Sequence, residues 1–215
     1  NYHVNTLVVA AENEELNTLI NTALAKDIAG DNAPIKVTNL PQTLRIAARE
    51  ILSSYRKQDV DTSNLVNDYN DYMLELSYDT QLLLNTKGLL TLATAHYAYT
   101  GGVHGNHYTT LHSFATDSLQ LLAFKDIFLP ASDTTLSELL TKKADHLKIG
   151  YEPEQIPITQ NVAFTEEGLL FNYPPYEIAS FAEGEIEILL PYGEVSHLLT
   201  GLAESLVLTM RQGNS

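Results

Sequence analysis

The stretch from His96 to Phe128, HYAYTGGVHGNHYTTLHSFATDSLQLLAFKDIF, constrains the fold of this chain more than any other. Aromatic and β-branched residues flank Gly101, Gly102 and Gly105, so the stretch reads as a strand, a glycine-rich turn, a second strand and a short apolar return over Leu121–Phe128. Glycine accepts the backbone angles of such a bend at little cost. Upstream residues are expected to form the layer that packs on this hairpin, and downstream residues to complete it.

Upstream, residues Val4 to Ala10 are short and β-prone. Asn13 is placed as an N-cap, with Glu14 and Glu15 in the first turn where the helix dipole favours acids. Leu16, Leu19, Ile20, Ala23, Leu24 and Ile28 share one face of a helix spanning Asn13 to Ala29, and Gly30 stops it. Pro41 suits the first turn of a second helix whose stripe is Leu44, Ala47, Ala48, Ile51, Leu52 and Tyr55, ending near Gln58. The segment DVDTSNLVNDYND is polar and loop-like. From Tyr72 the period becomes two: Tyr72, Leu74, Leu76 and Tyr78 share one face, Met73, Glu75, Ser77 and Asp79 the other. The NTKG turn at Asn85–Gly88 then reverses the chain into a strand over Leu89–Tyr99, so an antiparallel meander is expected.

Downstream, Asp133 caps a third expected helix with the stripe Leu136, Leu139, Leu140 and Leu147. Short strands follow at Ala163–Phe164 and Leu169–Tyr173. Pro174 and Pro175 cannot join a ladder, so the chain leaves the sheet and re-enters at Glu185, with Ile186 and Ile188 inward and Glu185 and Glu187 outward. A last helix is expected from Glu194 to about Ala203, with Val195, Leu198, Leu199 and Leu202 as its stripe; SLVLTM extends that helix or adds a strand. The pattern specifies an α+β fold: antiparallel β-sheet with helices packed against one face. A helix-rich half, 1–87, precedes a half, 88–215, that carries the hairpin, and the two are expected to make one compact unit.

A chain of 215 residues buries roughly 70% of its unfolded surface, so it folds without disulfide or metal staples. It contains no cysteine, which excludes zinc–thiolate sites and cysteine nucleophiles. With 27 acidic against 12 basic residues the net charge is −15, which repels nucleic acid and anionic lipid and attracts cationic partners. No apolar run is long enough for a membrane span, and the polar opening NYHVN holds no signal peptide, so any address is expected upstream of Asn1.

YTGGVHGN (Tyr99–Asn106) resembles a family loop usually written YTGGAHG, with Val103 in place of alanine. EELNTLIN (Glu14–Asn21), LLAFKDIF (Leu121–Phe128) and YEIASFAEGEIEILLPYGEV (Tyr176–Val195) are similar to further segments of the same family in the same order; Ser180 stands where proline is usual. The family is the extracytoplasmic domain of unknown function found in RsiV-type anti-sigma factors, which sense lysozyme, and beside the catalytic domain of PdaC-type peptidoglycan deacetylases. By this resemblance residues 1–87 are like the PdaC N-terminal module and 88–215 like the RsiV C-terminal region. The resemblance implies a non-catalytic, extracytoplasmic binding or sensing domain of the bacterial envelope, periplasmic or surface-anchored, whose partner is a cationic lysozyme-like protein or cell-wall glycan. The deacetylase's catalytic motifs are absent from this sequence.

The candidate binding residues are Tyr99, Thr100, Gly101, Gly102, His104, Tyr176 and Tyr192. Tyrosine offers a flat apolar face with a polar tip, and six of the 12 tyrosines (Tyr97, Tyr99, Tyr108, Tyr173, Tyr176, Tyr192) cluster in the segments just named. The alternative is that they only line the sheet and anchor loops. His104 is expected to hydrogen-bond backbone carbonyls and hold the loop. His96, His104, His107 and His112 crowd one hairpin without a metal-ligand spacing, so no metal, cofactor or catalytic residue is assigned. GGVHG lacks the GK[ST] ending of a phosphate loop, and no GxSxG occurs. Glu183, Glu185 and Glu187 read as a solvent-facing row rather than a glycosidase pair. Two other functions remain open: an envelope hydrolase that uses the histidine-rich hairpin, and a structural accessory domain of a lipoprotein.

Overall fold

The computed structural model describes residues 1–7, 12–57, 74–101 and 103–213. Residues 8–10 of the expected first strand, Gln58, the polar segment, Tyr72, Met73 and Gly102 lie outside these residues, as does the side chain of Tyr55. In chain order the elements are β1 (Tyr2–Asn5), α1 (Glu14–Ala29), α2 (Leu40–Lys57), β2 (Glu75–Thr86), β3 (Leu89–Tyr99), β4 (Asn106–Ala115), β5 (Gln120–Leu121), α3 (Phe124–Ile127), α4 (Asp133–Leu147), β6 (Val162–Phe164), β7 (Gly168–Tyr173), β8 (Ile186–Pro191), α5 (Tyr192–Val195) and α6 (Gly201–Gly213). The class is α+β. One sheet has the order β1-β2-β3-β4-β5 and the other β6-β7-β8.

The chain divides into two compact units, Asn1–Thr80 with Thr94–His107, and Gln81–Ala93 with Tyr108–Ser215. In the first, Asn13 Oδ1 accepts from the N–H groups of Glu15 (2.8 Å) and Leu16 (3.2 Å), which starts α1 as the sequence requires. Ile20, Leu24 and Ile28 of α1 and Leu40, Leu44 and Ala47 of α2 are buried, and the two helices pack on each other. β1 pairs with β2 in parallel, Tyr2 opposite Leu76 and Asn5 opposite Asp79. That departs from a purely antiparallel meander; the long helical connection between the two strands is what a parallel pair needs.

In the second unit the turn at Lys87–Gly88 joins β2 to β3, and β5 pairs antiparallel with β4. β7 is the centre of the smaller antiparallel sheet, with Leu169 opposite Phe164 on one side and Leu190 on the other. The core gathers Leu136 and Leu140 of α4 with Phe164, Phe171, Ile188 and Leu190. The buried Ser113 hydroxyl of β4 accepts from the Phe164 N–H at 3.0 Å and lies 2.9 Å from Thr91 Oγ1, tying β3, β4 and β6 together.

Four further expectations change. Asp133 is the first helical residue of α4 and not its cap, which is Ser132. The stripe of α4 continues through the fully buried Ala144, leaving Leu147 51% exposed at the helix end. The apolar return at 121–128 is a two-residue strand plus one helical turn, where Asp126 Oδ2 accepts from the Ala123 N–H at 2.9 Å. The single helix expected from Glu194 is broken: Leu199 bridges to Phe128, and Thr200 then caps α6, accepting from the Ala203 N–H (3.2 Å) while donating to the Asp126 carbonyl (2.6 Å). SLVLTM accordingly belongs to α6.

Candidate functional site

Alternation along β3 and β4 carries the hairpin residues to its tip in the first unit. Tyr99, the last residue of β3, is half-buried, Thr100 is exposed, and Gly101 has φ +99°, which an L side chain rarely adopts. Gly102 lies outside the described residues. Val103 is 99% exposed, and the exposed His104 places Nδ1 3.3 Å from the Gly105 carbonyl oxygen. His96 is buried, with Tyr78 edge-on to its ring at 5.3 Å.

The other two sequence candidates belong to the second unit. Tyr176 has φ +71° and is 66% exposed, stacked on Phe181 with ring centroids 5.4 Å apart. Tyr192 is only 3% exposed: its hydroxyl donates to the Thr165 carbonyl at 2.7 Å, Arg211 lies over its ring at 5.4 Å, and burial raises its pKa. Its ring is part of the core.

Within the second unit Tyr108, Thr109, Thr110, Leu111 and His112 of β4 line a cleft of about 550 Å³. Gln160 and Asn161, from the loop before β6, and Glu177, from the proline segment after β7, supply further walls. The volume is within the range of pockets that hold small ligands. Asn161 fixes the floor. Its Nδ2 donates to the Thr109 carbonyl at 2.7 Å and the Asn172 carbonyl at 3.3 Å, and its Oδ1 accepts from the Leu111 N–H at 2.8 Å. Tyr173 braces the adjacent loop, its hydroxyl donating to the Pro157 carbonyl at 2.9 Å; burial above all raises the pKa of that phenol. The Glu177 N–H donates to the Pro174 carbonyl at 3.1 Å, and desolvation raises its carboxyl above the ordinary value although the residue is exposed overall.

The cleft thus combines the 46% exposed Tyr108, amide and hydroxyl groups and one carboxyl group with largely apolar walls from Leu111, Leu121, Leu122 and Val162, and neither lysine nor arginine is among its described lining residues. That chemistry suits a hydroxyl-rich ligand that is neutral or cationic and disfavours an anion. Sequence reasoning noted Tyr108 and His112 without placing them in a cleft, and it missed Asn161 and Glu177. Glu177 follows Tyr176 in the segment already singled out. Asn161 has no sequence signal, since its role comes from bonds to Thr109 and Leu111, about 50 residues away in the chain. A second groove, about 500 Å³, lies on the outer face of β7 and β8, where Leu170 pairs with Leu189 beside Glu166 and Glu187. Among the described residues no three histidine or acidic side chains converge to hold a metal ion, and no helix is long and apolar enough to cross a membrane.

An α+β domain with two β-sheets and a ligand-sized cleft of mixed apolar and polar lining is the class that the fold and site define. The family model described as a protein of unknown function (DUF3298) matches residues 125–193, and one described as deacetylase PdaC matches residues 1–107. A crystal structure of a DUF3298 family member from Bacteroides fragilis is similar to the chain with TM-score 0.82 and 22% identity, over 95% of this chain and 85% of that one. Another, of a DUF3298 family protein from Pseudomonas aeruginosa, gives TM-score 0.64 and 16% identity over 86% and 80%. At these identities the likeness is one of fold. No curated protein matches. Together the findings give partial matches to the DUF3298 and PdaC family models and a fold shared with DUF3298 family structures, with no activity attached.

Proposed function

We propose that the chain is a non-catalytic, extracytoplasmic binding module of the bacterial envelope, and that its ligand is cell-wall glycan seated in the cleft beside β4. The observation that carries this reading is the meeting of the exposed Tyr108 ring with Thr110, Gln160, Asn161 and Glu177 around one ligand-sized hollow. A sugar ring presents an apolar C–H face, which stacks on an aromatic side chain, and a rim of hydroxyls, which exchange hydrogen bonds with amides and carboxylates. Titration calorimetry with an N-acetylglucosamine tetramer tests it: binding that Tyr108→Ala weakens about tenfold, with unchanged thermal stability, supports the cleft. No binding by the wild type of this oligomer or of soluble cell-wall fragments rejects it.

A second reading, favoured by the net charge of −15, is a cationic lysozyme-like protein partner, engaged through the exposed hairpin residues Thr100, Val103 and His104. The resemblance to lysozyme-sensing anti-sigma factors supports it. Opposite charge speeds encounter and is screened by salt. Titration with a lysozyme-type enzyme should therefore show binding at low ionic strength that weakens in salt, and absence of binding at low salt removes this reading.

A further inference from the structure

We propose that the β4 cleft prefers an amino sugar whose nitrogen is a free ammonium over the same sugar N-acetylated, with the Glu177 carboxylate as counter-ion; this rests on the glycan reading above. The charge inventory of the cleft points there. Among its described lining residues Glu177 is the one acid, and no lysine or arginine is present. Thr110 and Gln160 are uncharged and would meet the hydroxyls of either sugar alike, so they do not separate the two.

An acetamido group would bring an amide with no net charge to a carboxylate that has lost part of its hydration, whereas an ammonium brings a compensating charge and up to three donors. Desolvation raises the Glu177 pKa, and an ammonium beside the carboxylate would offset part of that cost. Pro174 and Pro175 limit the backbone freedom of the segment that carries Glu177, and its N–H is already bonded to the Pro174 carbonyl at 3.1 Å. The ammonium would therefore meet an acid carried on a constrained stretch of backbone. A partly exposed ion pair of this kind supports a preference of about fivefold.

The experiment compares a glucosamine tetramer with an N-acetylglucosamine tetramer by calorimetry at pH 7 and 150 mM salt, for wild type, Glu177→Gln and Glu187→Gln. Glu187 is an exposed carboxylate on the outer face of β8, outside the cleft, and controls for diffuse attraction of a polycation to an acidic protein. The expected result is at least fivefold tighter binding of the glucosamine tetramer, a preference lost in Glu177→Gln and kept in Glu187→Gln. Equal or tighter binding of the acetylated tetramer by the wild type overturns the preference and leaves the glycan reading standing. Equal losses in the two variants assign the effect to overall charge and overturn it as well. If neither tetramer binds, the glycan reading falls and takes the preference with it.

Discussion

An added Cβ at Gly105 would stand 2.5 Å from the Tyr97 ring, and one at Gly168 would stand 2.1 Å from the Leu190 carbonyl oxygen. The two glycines are alike as letters in the sequence and unlike in what surrounds them. The Tyr97 ring is 37% exposed and can swing into solvent, so Gly105→Ala is expected to cost about 1 kcal/mol or less. Gly168 faces backbone across the β7–β8 ladder, and the strands must part, so Gly168→Ala is expected to cost about 3 kcal/mol. Urea unfolding of both variants checks the order. Glu177 gives a pH-dependent counterpart. Its folded-state pKa is raised above the ordinary 4.5, so the neutral acid is favoured in the folded chain; the stability this carries is complete below 4.5 and is lost as pH rises through the folded value. Glu177→Gln should therefore match the wild type in melting temperature at pH 4 and slightly exceed it at pH 7.

Among the elements, β4 supplies the longest wall of the cleft, and the Asn161 amide ties the loop before β6 to it. Asn161→Ala removes an acceptor from the Leu111 N–H and a donor from the Thr109 carbonyl, leaving both part-buried, and is expected to cost about 2–3 kcal/mol. Asn161→Asp, which keeps the acceptor and loses the donor, should fall between alanine and wild type in denaturant midpoint. Elements with a local cause were legible in the sequence. Asn13 caps α1 by bonds to residues two and three places on, and the alternation of Ile186 and Ile188 with Glu187 sets the faces of β8. Elements decided by distant partners were not. The break between α5 and α6 follows from Leu199 pairing with Phe128, and the burial of Ala144 in place of Leu147 follows from where α4 leaves the core. The cleft belongs to that second group, since Tyr108, Asn161 and Glu177 come from three separate segments.

At the scale of the molecule, β2, β3 and β4 each begin in one compact unit and end in the other. Residues Gln81–Ala93 belong to the unit that otherwise consists of Tyr108–Ser215, so a fragment covering 108–215 lacks the second unit's share of β2 and β3. Expressed alone, that fragment is expected to show no cooperative thermal transition, and adding the fragment 1–107 should restore one; a sharp transition in 108–215 alone would contradict this. Strand edges left unpaired in either fragment also make each prone to aggregate. Because neither unit is a continuous stretch of chain, no single genetic crossover between two relatives can leave both units of one parentage. A chimera of two relatives joined at any one point is therefore expected to carry at least one unit of mixed parentage.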